Sequence, residues 1–200
     1  EALMESAPDS ALTLLQSLDA ETFHKRSTHA RHALLKSMAL DKNVIDTTTF
    51  DVLQPALDYY LEKGTPDEKL RTYYYQGRIY QNRKETDAAM KAFIIGKDLQ
   101  YEMTDTLTLA HLLVAQSTLH YTAYQLENFI ENQLLAADLY GLADRPYYQF
   151  TSLLKALDGS ILTQDQPLAD SLYTVCRIHV SQNAAYESLF VPFALTYTFV

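Results

Sequence analysis

Arg71 and Arg78 stand seven residues apart, with Tyr74 between them and Asn82 one turn further on. On a helix that spacing is two turns, so the two guanidinium groups share a face. Guanidinium forks take carboxylates in paired hydrogen bonds, an asparagine takes peptide backbone, and a tyrosine supplies apolar area at low entropic cost. The set suits an extended, acidic peptide. Other reactive side chains point to less. His29 and His32 place two imidazoles on one helix face without a visible third ligand, so no metal is expected. Asp138 with Asp144, and Asp165 with Asp170, are the pairs nearest to acid–base spacing, but such work needs a closed, partly dry cleft to separate two pKa values. HExxH, CxxC, GxSxG and glycine-rich phosphate-loop patterns are absent. The single Cys176 has apolar neighbours in Val175 and Ile178, which favours a buried thiol. A chain of this kind is expected to be no enzyme and to need no cofactor.

Such side chains need elements that hold them in register, and the segment 69–102 supplies the pattern. Tyr73, Gly77 and Tyr80 are followed by Ala89, Phe93 and Gly96, spaced as two short helices must be to interlock. The small residues let the helix backbones approach and the large ones fill the groove beside them. This pattern resembles the tetratricopeptide repeat, a helix pair that cannot bury its apolar face alone and therefore implies a stack. The first-helix spacing recurs at Ala33, Ser37 and Leu40, at Leu113, Ser117 and His120, and at Leu153, Leu157 and Ser160. The second-helix spacing recurs at Ala11, Leu15 and Leu18, at Ala56, Tyr60 and Lys63, at Ile130, Leu134 and Ala137, and at Ala169, Tyr173 and Cys176. Successive second-helix matches begin at 11, 56, 89, 130 and 169, mostly farther apart than the family's repeat of about 34 residues. The resemblance implies an all-α fold: a right-handed superhelical stack of antiparallel helix pairs in about five repeats, the terminal ones incomplete, as one domain over residues 1–200.

In that family the first helix of each pair lines a concave groove. Carried onto this chain, the groove face is Arg71, Tyr74, Arg78, Gln81 and Asn82 in the third repeat. It is Arg31, Met38 and Lys42 in the second, and His111, Thr118, Tyr121 and Thr122 in the fourth. Tyr73, Gly77, Tyr80, Ala89, Phe93 and Gly96 are then packing residues. The lysine and asparagine clamp with which some family members hold a terminal carboxylate is not reproduced. The implied function is a non-catalytic scaffold whose partner is a protein or an acidic peptide.

Local signals place the breaks. Pro8-Asp9-Ser10 starts a helix running to about Leu18, with Asp or Ser oxygens free to accept the first amides. Gly64-Thr65-Pro66-Asp67 ends one helix and starts another, with Gly64 suited to a left-handed cap, and the same logic applies at Gly141 to Pro146 and at Thr163 to Pro167. Asp46 to Thr49 reads as a connection, and Pro55 either falls in a first turn or bends its helix. At the end of the chain, Ala185, Leu189, Phe193 and Tyr197 form an apolar stripe with no second helix to cover it.

Composition bounds the rest. A formal charge of −9 and a pI near 5.0 argue against nonspecific nucleic-acid binding. Apolar runs are too short for membrane insertion. The chain opens without Met and ends in an apolar run, and is read as a piece of a longer protein. Ala7 to Leu15, with Ala30 to Leu35, resembles the opening of exported bacterial tetratricopeptide proteins, which implies an extracytoplasmic, membrane-anchored location ahead of a cytoplasmic one. Two other functions follow. One is a sensor or assembly segment of a membrane-anchored regulator. The other is a surface binder of glycan or another small ligand, which requires an aromatic pocket formed by Tyr121, Tyr124, Tyr147 and Tyr148.

Overall fold

A computed structural model describes residues 3–198, apart from the side chain of Glu21. Among the described residues there are helices and turns and no strand. The α-helices are α1 (Leu3–Ser6), α2 (Pro8–Ser17), α3 (Arg26–Lys42), α4 (Gln54–Lys63), α5 (Pro66–Asn82), α6 (Thr86–Asp98), α7 (Thr106–Thr122), α8 (Leu126–Leu142), α9 (Pro146–Leu162), α10 (Gln166–Gln182) and α11 (Glu187–Thr198). Two compact units divide between Asp105 and Thr106. The first holds α1 to α6 and the second α7 to α11. Within each, helices pack on their chain neighbours, as in a helical repeat.

The period is set by helix length. From α5 onward the helices begin at Pro66, Thr86, Thr106, Leu126, Pro146 and Gln166, an advance of 20 residues each time, so a helix pair spans 40. From α7 to α10, helices of 17 residues joined by three-residue connections produce that advance, and a connection so short turns the next helix back on the last, whereas α6 has 13 residues and a longer connection makes up its 20. The tetratricopeptide unit is shorter, at about 34 residues. Positions 30, 70, 110 and 150, one in each first helix, hold Ala30, Leu70, Ala110 and Phe150, and all four are wholly buried.

The third pair interlocks through Gly77 and Phe93. A β-carbon on Gly77 would lie 2.2 Å from Phe93 Cε1 and 2.6 Å from its Cδ1, so the ring occupies the space a side chain would need. Forty residues on, Ser117 and Gln133 hold the same two places, and Gln133 Nε2 donates to Ser117 Oγ at 2.6 Å. The fourth second-helix match is therefore corrected. Its counterparts are Phe129, Gln133 and Ala136 rather than Ile130, Leu134 and Ala137, because a buried glutamine stands where an apolar residue was sought. Ala89, Phe93 and Gly96 are buried, whereas Tyr73 and Tyr80 are only half-buried and line an open pocket of about 390 Å³ with Leu61, Gln76 and Lys91. The cause is α4, which begins only at Gln54; the preceding connection instead brings Phe50 edge-on to Tyr80 at 5.0 Å.

Helix ends follow one rule that glycine does not explain. Val44, Lys84, Tyr124, Asp144 and Gln164 adopt φ of 54 to 64° just beyond α3, α5, α7, α8 and α9. Each is followed by an amide that reaches back across the turn: Ile45 to Leu40 O, Glu85 to Tyr80 O, Gln125 to His120 O, Arg145 to Tyr140 O and Asp165 to Ser160 O, at 2.9 to 3.0 Å. These are Schellman closures. Gly64 is not left-handed: its backbone is extended, and a β-carbon there would lie 2.6 Å from Tyr60 O. Gly141 lies inside α8, and Asp144 takes the left-handed place. Thr65 and Glu68 form a reciprocal capping box at the start of α5, while α2 begins on Pro8 with no side-chain cap. Pro55 falls in the first turn of α4. The stripe on α11 is covered, since Leu189, Phe190, Phe193, Ala194 and Tyr197 pack on the core of the second unit and Tyr197 stacks on Tyr173 at 4.2 Å; Ala185 stays exposed.

Candidate functional site

Helix α5 does carry Arg71, Arg78, Gln81 and Asn82, but the first unit commits them to itself. Arg71 Nε donates to Asp105 Oδ2, and Arg78 donates through Nε to Asp41 Oδ1 at 3.2 Å and through Nη1 to Gln81 Oε1 at 3.1 Å. Asn82 Nδ2 donates to Thr47 O at 3.0 Å. Burial opposes the Arg78 charge, yet Tyr74 and Asp41 outweigh it and raise its pKa. Tyr74, expected on the groove face, is only 7% exposed, with its hydroxyl turned toward Asp41 and its ring edge-on to Tyr75. The sequence reading counted Lys42 at the end of α3 and missed Asp41 beside it; Lys42 itself pairs with Glu5 at 2.6 Å. A pocket of about 210 Å³ stays open among α3, α4 and α5, with Arg31 exposed at its edge and Leu34, Met38, Tyr60 and Arg71 in its walls.

In the second unit His111 and Tyr121 lie in different surroundings. The Tyr140 hydroxyl meets His111 Nδ1 at 2.7 Å, and Tyr148 closes edge-on over the same imidazole at 5.5 Å. Burial and the neighbouring Tyr148 push the Tyr140 phenol up. Tyr147 and Tyr148 begin α9, whereas the residues near Tyr121 and Tyr124 meet its far end at Leu162, about 20 Å away along the helix. The four tyrosines required for a single aromatic pocket therefore do not converge.

Around Tyr121 the helices leave a trough. An apolar pocket of about 570 Å³ is lined by Tyr121, Thr122, Tyr124, Leu126 and Leu162. It shares Tyr121 with a second pocket of about 260 Å³ that is also lined by Thr118, Phe129, Gln133, Lys155 and Asp158. Leu126, Phe129 and Gln133 share one face of α8 by their spacing, as Lys155, Asp158 and Leu162 do on α9. Gln133 is fully buried, and its Oε1 has no hydrogen-bond partner. Desolvation raises the Asp158 carboxyl pKa and lowers that of the Lys155 ammonium, and neither forms an ion pair among the described residues. Sequence reasoning missed Gln133, Lys155, Asp158 and Leu162. The available signal was a glutamine breaking the apolar stripe of α8 and two charges on one face of α9.

The remaining reactive groups have structural work. His29 Nε2 donates to Phe23 O and His32 Nε2 to Leu15 O, both at 2.8 Å. Asp165 Oδ1 caps α10 by accepting from Leu168 N, and Asp170 Oδ1 accepts from Gln166 and Tyr197. Cys176 is buried, and that burial pushes its thiol up to about 12. No group of His, Cys, Asp or Glu among the described residues is placed to hold a metal ion, and no helix is long and apolar enough to cross a membrane. Comparison with protein families, curated proteins and solved structures gives no match.

Proposed function

We propose that this chain is a non-catalytic scaffold that binds a polypeptide segment on the helix faces its repeats leave open, as a right-handed stack related in design to tetratricopeptide proteins. The observation that carries the reading is the 40-residue repeat of helix pairs, which assigns apolar faces to neighbours and leaves first-helix side chains, such as Arg31, Thr118 and Tyr121, outside the core. Surfaces of this kind bind extended peptides without chemistry of their own. The burial of Cys176 and the bonding of His29 and His32 to backbone carbonyls support a role without catalysis. The resemblance of residues 7–15 and 30–35 to exported repeat proteins supports an extracytoplasmic setting.

The proposal is tested by selecting random linear peptides displayed on phage against the folded protein and measuring the selected sequences by fluorescence anisotropy. Saturable, competable binding is expected. Failure to select any peptide that binds in solution would overturn the scaffold reading.

A further inference from the structure

Resting on that reading, we infer that the peptide site is the trough of the second unit, and that its occupant is an extended segment with a large apolar side chain seated between Tyr121, Tyr124 and Leu162 and a backbone N–H directed to Gln133. Four observations meet there. The apolar end is a pocket of about 570 Å³ whose aromatic and aliphatic walls include Tyr124 at 87%, Leu162 at 50% and Tyr121 at 43% exposure, large apolar surface left in water. Its neighbour, which shares Tyr121, has Thr118, Gln133, Lys155 and Asp158 in its wall.

At the base of that second pocket, Gln133 is fully buried, and its Nε2 is taken by Ser117. Its Oε1 lacks a donor, and a buried acceptor left so is stabilised by any ligand that brings an N–H to it. Lys155 and Asp158 flank this point with opposite charges and no ion pair of their own. Desolvation already disfavours both charged forms, so charges on the occupant would be met by groups that lack counter-charges.

Length decides between a peptide and a smaller ligand. From Leu162 to Lys155 is two turns of α9, about 10 Å. An extended chain covers that in about three residues. A segment of that length places an apolar side chain at the Leu162 end, a backbone amide over Gln133 and charged neighbours by Lys155 and Asp158. Because both signs of charge are present, the occupant is not selected for acidity, unlike the segment expected from Arg71 and Arg78.

The test uses the whole chain and peptides selected by phage display. Selected sequences should share one large apolar residue next to a charged one. Leu162→Asp and Tyr121→Ala should each weaken binding by at least tenfold, and Gln133→Met by several-fold, whereas Arg71→Ala/Arg78→Ala should leave it within twofold. Circular dichroism and melting of each variant separate lost binding from lost fold; Tyr124→Asn, at a surface turn where asparagine is favoured, serves as a second variant if Tyr121→Ala melts early. Peptides that bind with full affinity to folded Leu162→Asp and Tyr124→Asn would place the site elsewhere and overturn this inference while leaving the scaffold reading intact. Displacement of the peptide by free leucine or phenylalanine, at concentrations that leave a control complex untouched, would make the occupant a small ligand and overturn it as well.

Discussion

At the scale of single residues, the structure turns on which side chains share a contact. The Phe93 ring over Gly77 leaves no room for a methyl group, so Gly77→Ala should destabilise by about 1–3 kcal/mol, measured by urea unfolding. Gly77→Ser with Phe93→Gln recreates the pair found at Ser117 and Gln133. The double variant should lose less stability than the two single changes summed, with a coupling of about 0.5–3 kcal/mol in a double-mutant cycle. Gln133→Met keeps the volume and removes the unpartnered amide oxygen but also the bond to Ser117, so stability should stay within about 1 kcal/mol of wild type while the selected peptides bind more weakly. Asp67 carries a pH dependence. Burial opposes its charge, but the hydroxyl and amide of Thr104 and the amide of Asp105 donate to it and hold its pKa below 3.8. A carboxyl lowered in the fold contributes stability above its unfolded pKa and loses it as the pH falls through the folded value. Asp67→Asn should therefore melt below wild type near pH 7, and the difference should close as the pH drops beneath 3.8.

At the scale of elements, five helix ends place an ordinary residue where φ is positive. The left-handed conformation costs most for a β-branched side chain, roughly 1–2 kcal/mol. Val44 is the clearest case: φ is 57° and the side chain is 87% exposed, so little packing offsets the strain. Val44→Asn should stabilise by about 1 kcal/mol in thermal or urea unfolding. Tyr124→Asn, at φ 56°, should also stabilise. The two differ in function. Only the change at Tyr124 removes a wall of the apolar pocket, so only that one should weaken peptide binding.

At the scale of the whole molecule, helices that pack mainly on their chain neighbours give stability that varies along the chain. Helices α7 and α9 each bury nine residues, whereas α1 and α11 each bury one. Native-state hydrogen exchange should be slowest in α7 to α9 and fastest in α1 and α11, and a bound peptide should add protection in the second unit. The sequence by itself determined the helical class, the place of most breaks and the first-helix register: Ala33, Tyr73, Leu113 and Leu153 lie 40 residues apart, because apolar and small residues at helical spacing must face a neighbour. It also marked a tight crossing at Gly77 and Ala89, while the Phe93 ring over Gly77 came from the structure. Only the tertiary structure decided where charge and strain reside. Arg71 and Arg78 share a helix face in any helix, but their partners Asp105 and Asp41 lie 34 and 37 residues away in sequence, and no local spacing pairs them. Gln133 breaks an apolar pattern that describes one helix at a time. Its buried oxygen becomes visible as a binding group only when α7, α8 and α9 enclose it, because desolvation is a property of the packed neighbours and not of the chain order.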